Sequence, residues 1–119
     1  MKNSDKAAKG KLGENLAVRF LIKNGYRLLR RNFYSRYGEI DIIAEKGDLI
    51  VFVEVKYRKS GRHSAPALAV NLKKQEKIKK TALCYIGEND ISGKDFRFDI
   101  IEISGVNELK LNHIESAFY

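Results

Sequence analysis

A chain of 119 residues with 44% hydrophobic residues, 32% charged residues and a single proline has the size and composition of one globular domain. No apolar run approaches the roughly 20 residues of a membrane span. The N-terminal segment lacks the apolar core of a secretory signal, and a lone cysteine, Cys84, excludes an internal disulfide and fits a cytoplasmic setting. Lysine and arginine total 23 against 15 aspartate and glutamate, a net charge of +8. That excess can serve solubility alone, but in a small chain it favours a polyanionic partner, nucleic acid being the commonest.

Taken in chain order, "KLGENLAVRFLIKNGY" predicts a helix over residues 9–24, closed by Gly25, after a flexible start at residues 1–8. "YRLLRRNFYSR" predicts a first strand, "GEIDIIAE" a second and "LIVFVEVKYR" a third, the last two joined by a hairpin at Lys46, Gly47 and Asp48. "KSGRHSAP" is a loop, residues 67–88 a second helix and "DFRFDIIEI" a fourth strand, with "ELKLNHIESAFY" as a C-terminal edge strand. The order α-β-β-β-α-β describes a single α/β domain, a mixed β-sheet flanked by helices.

The third strand carries the anomaly. Leu49 to Val53 is an unbroken apolar run of the kind buried on both faces, yet Glu54 and Lys56 follow before any turn signal. Strand alternation puts Ile50, Phe52, Glu54, Lys56 and Arg58 on one face, and Glu39, Asp41 and Ile43 on one face of the preceding strand. If Glu45 to Asp48 form the turn, Asp41 lies opposite Phe52 and Glu39 opposite Glu54. Asp41 and Glu54 then stand roughly 7–8 Å apart at Cα. Two arrangements meet this pattern. One is an exposed ladder of ion pairs at a strand end, worth little. The other is a partly buried acid cluster, which one lysine cannot balance and a divalent cation with a taste for hard oxygen ligands can.

The first helix has Leu16, Ala17, Phe20 and Leu21 on a wide apolar arc, and Glu14 falls inside it. There the acid is either tolerated by the helix N-terminus or directed over the sheet toward Asp41 and Glu54. The second helix is expected to turn Leu72, Ile78, Ala82 and Ile86 inward, with Gln75 among them as a candidate site residue or a polar group at the core margin. Lys73, Lys74, Lys77 and Lys80 then form an outer stripe. Such a stripe is usually a solvated face. Beside a phosphate-processing site, Lys73, Lys74 and Lys77, with Arg58 and Arg62, become contacts to a nucleic-acid backbone. His63 is a lone loop histidine, Cys84 projects away from the main apolar stripe, and no zinc-ligand spacing or Gly-rich phosphate loop is present.

Together "GENLAVRFL", "GYRLLRRN", "GEIDIIA", "VFVEVKYR" and "KKQEKI" resemble the YraN family of small bacterial proteins, over nearly the whole chain. That family is placed among the restriction-endonuclease-like, PD-(D/E)xK nucleases, near the archaeal Holliday-junction resolvases. By this resemblance Asp41 is the acid of the second strand and Glu54 and Lys56 the acid and lysine of ExK. Glu14 is the helical acid of the resolvase-like branch, Gln75 its polar helical residue, and the Val55 carbonyl completes a metal shell. Ile40 stands where the superfamily name has proline. The resemblance implies a Mg²⁺- or Mn²⁺-dependent endonuclease acting on DNA, including branched or junction DNA, and homodimers by analogy with resolvases. A nucleic-acid-binding module that kept the fold without the chemistry is the alternative.

Overall fold

A computed structural model of the chain describes residues 2–58, 70–105 and 107–119, with side chains of the first helix from residue 10 onward. The elements are α1 (Lys2–Lys23), β1 (Arg27–Ser35), β2 (Gly38–Lys46), β3 (Leu49–Arg58), α2 (Leu72–Glu88), β4 (Asp95–Ser104) and β5 (Lys110–Phe118). They build one five-stranded sheet in the order β1-β2-β3-β4-β5. All neighbours are antiparallel except β3 and β4, which run parallel and are joined through α2. This is the mixed sheet flanked by helices that the sequence predicts, with a genuine fifth strand at its edge.

The apolar run of β3 is explained by a helix on each side. Ile50 and Phe52 pack with Ile43, Ile100 and the α2 residues Ile78, Ala82 and Tyr85. Val51 and Val53 pack on the opposite face with Ile42, Ile101, Ile103 and the α1 residues Ala17, Val18 and Leu21. Each such side chain, fully withdrawn from water, contributes roughly 1.5–3 kcal/mol. Strand alternation thus splits one continuous apolar string into two cores.

Two boundaries and one helix face differ from expectation. α1 reaches back to Lys2, ahead of the start expected at residue 9. α2 begins at Leu72 rather than residue 67, because Asn71 caps it, its side-chain oxygen accepting from the Lys74 amide at 2.8 Å. The inner face of α2 is also rotated. Ile78, Thr81, Ala82 and Tyr85 are buried, whereas Leu72, predicted inward, is 78% exposed. Helical spacing from that buried set carries Lys74 onto the inner arc and Leu72 off it. Among the described residues no helix is long and apolar enough to cross a membrane.

Candidate active site

The β2–β3 hairpin turns tightly at Gly47 and Asp48, between the paired residues Lys46 and Leu49. Gly47 takes φ 59°, as the first central residue of a primed hairpin turn does. The register is therefore shifted by two residues from the one expected: Ile42 faces Val53, so Asp41, not Glu39, falls opposite Glu54. A shift of two preserves the face, and the predicted convergence of Asp41 and Glu54 survives it.

At that point the sheet forks. The β2–β3 ladder ends at Ile42 and Val53, while β3 stays paired with β4 as far as Arg58 and Ser104. Asp41 sits in the fork, and its Oδ2 accepts the Val55 amide N–H at 2.8 Å, taking over a donor that the ladder leaves. The distortion begins in β1. Asn32 holds φ 52° between the pairs Arg31–Ile42 and Phe33–Ile40. Arg31 and Ile42 face α1, but Phe33 and Ile40 face α2. Both strands turn over together there, with Asp41 at the turnover.

Glu54 lies on the α2 side and is 6% exposed. Its Oε2 contacts the Lys74 ammonium and lies 3.7 Å from that of Lys56. Asp41 is pushed up to about 8, first by burial and then by the Glu54 charge, with the Val55 N–H pulling the other way. Two acids that share a desolvated space cannot both ionise at ease. Burial, then the Lys74 charge, lowers Lys56 below the ordinary lysine range, against the pull of Glu54. Burial acts in the same sense on Lys74, but its hydrogen bond to Glu54 and the acid's charge outweigh it and hold this amine above that range.

The profile of the uncharacterised protein family UPF0102 matches residues 13–103, a span that contains β1, β2, β3 and α2 and takes in α1 from Gly13 onward. The chain is 48% identical over 114 residues to a UPF0102 protein of Sulfurihydrogenibium sp. (strain YO3AOP1), with 96% of each chain covered. A UPF0102 protein of Caldicellulosiruptor bescii is 52% identical over 113 residues, covering 92% of this chain and 95% of its own. One of Myxococcus xanthus is 42% identical over 110 residues, covering 92% and 87%. This chain belongs to the UPF0102 family.

In this UPF0102 chain the remaining candidates separate. Glu14 faces the same end of the molecule, but its Oε1 already accepts from Arg31 Nε at 3.1 Å, Arg31 Nη2 at 2.8 Å and Asn32 Nδ2 at 3.0 Å. Among the described residues no group of three or more His, Cys, Asp or Glu side chains is placed to hold a metal ion. Asp41 and Glu54 meet at the fork, and Glu14 is held beside β1 by Arg31 and Asn32. Gln75 donates to the Val70 carbonyl at 2.9 Å, tying the first turn of α2 to the chain before its cap. Arg58 pairs with Glu102 at 2.8 Å. Lys73 and Lys77 are exposed as expected; Arg62 and His63 lie outside the described residues.

Sequence reasoning about this UPF0102 chain missed three groups. Lys74, assigned to the outer stripe, turns inward; its i, i+4 spacing to Ile78 and then Ala82 was the signal. Arg31 and Asn32 anchor Glu14, and two polar residues amid the apolar and aromatic positions of β1 were the only hint. Tyr34, paired with Glu39, is 67% exposed. Its hydroxyl is raised by a hydrogen bond to Glu39 and that acid's charge, with smaller contributions from burial, Glu14 and Asp41.

Proposed function

We propose that this chain is a metal-dependent endonuclease that cleaves phosphodiester bonds in DNA, branched or junction DNA included, at the sheet fork. The observation that carries this reading is the Asp41–Glu54 pair, two hard-oxygen donors forced together where burial penalises their joint ionisation. Such a donor set suits Mg²⁺ or Mn²⁺, with Asp41, Glu54 and the Val55 carbonyl as the groups that would hold it. A bound ion would neutralise a phosphate oxygen and lower the pKa of an attacking water. Lys56, on the same strand face as Glu54 and held below its ordinary pKa, would orient that water or stabilise charge building on phosphorus. Glu14, clamped by Arg31, would shape the rim of the site. Exposed Lys73 and Lys77 on α2 would meet the nucleic-acid backbone and add a salt-dependent share of affinity.

A second reading, a nucleic-acid-binding module without chemistry, gains support from one observation: Glu54 already has cationic partners within the chain. The two separate cleanly. Four-way-junction, flap and single-stranded DNA, with matched RNA, are incubated with the protein and Mg²⁺ or Mn²⁺. Cleavage is expected, falling about 100-fold or more in Glu54→Ala and in Lys56→Met. Binding without cutting, unchanged by Glu54→Ala, would leave only the binding module.

A further inference from the structure

Two amines meet one oxygen at the fork, and they are not equivalent. Lys56 is carried by β3, whose backbone is paired with β4 at that residue. Its ammonium stands 3.7 Å from Glu54 Oε2, and its side chain is 27% exposed. Lys74 comes from the first turn of α2 and makes the closer contact to that same oxygen, yet 43% of its side chain is exposed. A long, flexible stem at a half-open position can swing into solvent without disturbing the core. On one side of it lies Glu54, 6% exposed; on the other lie the exposed Lys73 and Lys77.

We propose that Lys74 is a built-in counterion that occupies the divalent-cation position of Glu54 and must be displaced before a metal ion can bind. The inference rests on the metal-dependent reading above and adds a device to it. An ion such as Mg²⁺ needs its carboxylate oxygen at about 2.0–2.1 Å, and an ammonium in hydrogen-bond contact with that oxygen stands in the way. The two cations are therefore alternatives. Without metal, Lys74 prevents Glu54 from being buried as an unpaired charge, a situation that is strongly destabilising in general. With metal, the amine is released toward Lys73 and Lys77 on the solvent side of α2. Lys74 thus sets a threshold for metal loading and keeps the unloaded fork folded.

Binding of Mn²⁺ alone is followed by loss of its free-ion paramagnetic resonance signal, and thermal unfolding is recorded with and without Mn²⁺, all on the full chain. Lys74→Met is expected to bind Mn²⁺ about tenfold more tightly, the weight of one charge-assisted contact. It is also expected to melt lower without metal and to gain more from Mn²⁺ than the parent does. Lys74→Arg, which keeps charge and contact, gains nothing, and Lys56→Met gains less than Lys74→Met. Unchanged or weaker Mn²⁺ binding by Lys74→Met, with binding intact in the parent, sinks the counterion and spares the metal site. An equal gain in Lys56→Met would reduce Lys74 to one more charge in the local field, and would also overturn the proposal. Absence of binding in the parent and in Lys74→Met alike removes both the counterion and the metal-dependent reading.

Discussion

Asp41 and Asp99 are both drawn into the sheet beside a non-glycine residue with positive φ, Asn32 in one case and Ser116 in the other, each at 52°. What surrounds them is opposite. Asp99, fully buried, receives two guanidinium N–H bonds from Arg97 at 2.8 Å each, the Ser116 amide at 3.0 Å, and pairs with His113 Nε2 at 2.7 Å. Arg97 in turn donates to the Tyr26 hydroxyl at 2.7 Å. Burial alone would raise Asp99, but His113, Arg97 and the Ser116 amide outweigh it and hold the acid below its ordinary range. Among the described residues Asp41 has one amide donor and an acid for a neighbour, and is pushed up to about 8. A carboxylate with its lone pairs filled by protein donors is a structural joint, here locking β4 to the edge strand β5 and to Tyr26. One left short of donors beside a second acid is prepared for a cation from outside.

The largest test of that contrast is mutational. Asp99→Asn removes the buried charge that joins Arg97 and His113, leaves Arg97 with Glu115 and the Tyr26 hydroxyl, and should cost about 3 kcal/mol of stability in denaturant titration. Asp41→Asn removes one of two repelling acids and should leave the metal-free protein as stable as the parent or more so, while abolishing cleavage. Equal losses from the two substitutions would erase the distinction between joint and site.

The pH dependence should carry opposite signs. The folded pKa of Asp41, about 8, exceeds its ordinary 3.8, so between those values the native state holds a proton that the unfolded chain has released. Stability should therefore fall as pH rises through this window, the parent losing up to ~1.4 kcal/mol for each pH unit relative to Asp41→Asn. Asp99 is depressed, so its contribution is present above the ordinary aspartate range and is lost as pH falls through the folded value. Urea midpoints for the parent, Asp41→Asn and Asp99→Asn from about pH 2 to 9 would show the two slopes.

These two aspartates also mark how far the sequence could be read. The strands, the two helices and the meeting of Asp41 with Glu54 follow from apolar periodicity and turn chemistry, and survive even a hairpin register wrong by two because side-chain faces repeat with that period. The fork does not follow. Its origin is Asn32 in a left-handed conformation in the middle of a strand, and nothing in "LLRRNFYS" announces that one asparagine reverses the faces of two strands. Strict alternation places Ile40 and Ile42 on one face; the structure divides them between the two cores. Asp99 was hidden for a related reason. Its partners come from Arg97 on the same strand, and from His113 and Ser116 on an edge strand whose register is set by a bulge. Local pattern cannot show which distant donors a bulge will aim inward.

Glu14 is the residue that could belong to either class, and its test has the smallest expected effect. Its contacts with Arg31 and Asn32 resemble the filled shell of Asp99 in kind, though Arg31 remains 31% exposed in its side chain. If Glu14 is chiefly a joint between α1 and β1, Glu14→Gln should destabilise the metal-free protein by about 1 kcal/mol, the scale of a half-open charge-assisted bond. A double-mutant cycle with Arg31→Met should then return most of that loss as coupling between the two residues. If Glu14 is instead a third member of the acid group, Glu14→Gln should behave as Asp41→Asn does, leaving stability unchanged or raised and weakening Mn²⁺ binding. A destabilised variant with unchanged Mn²⁺ affinity places Glu14 with Asp99, because only an acid whose charge is already answered inside the fold loses stability when that charge is removed.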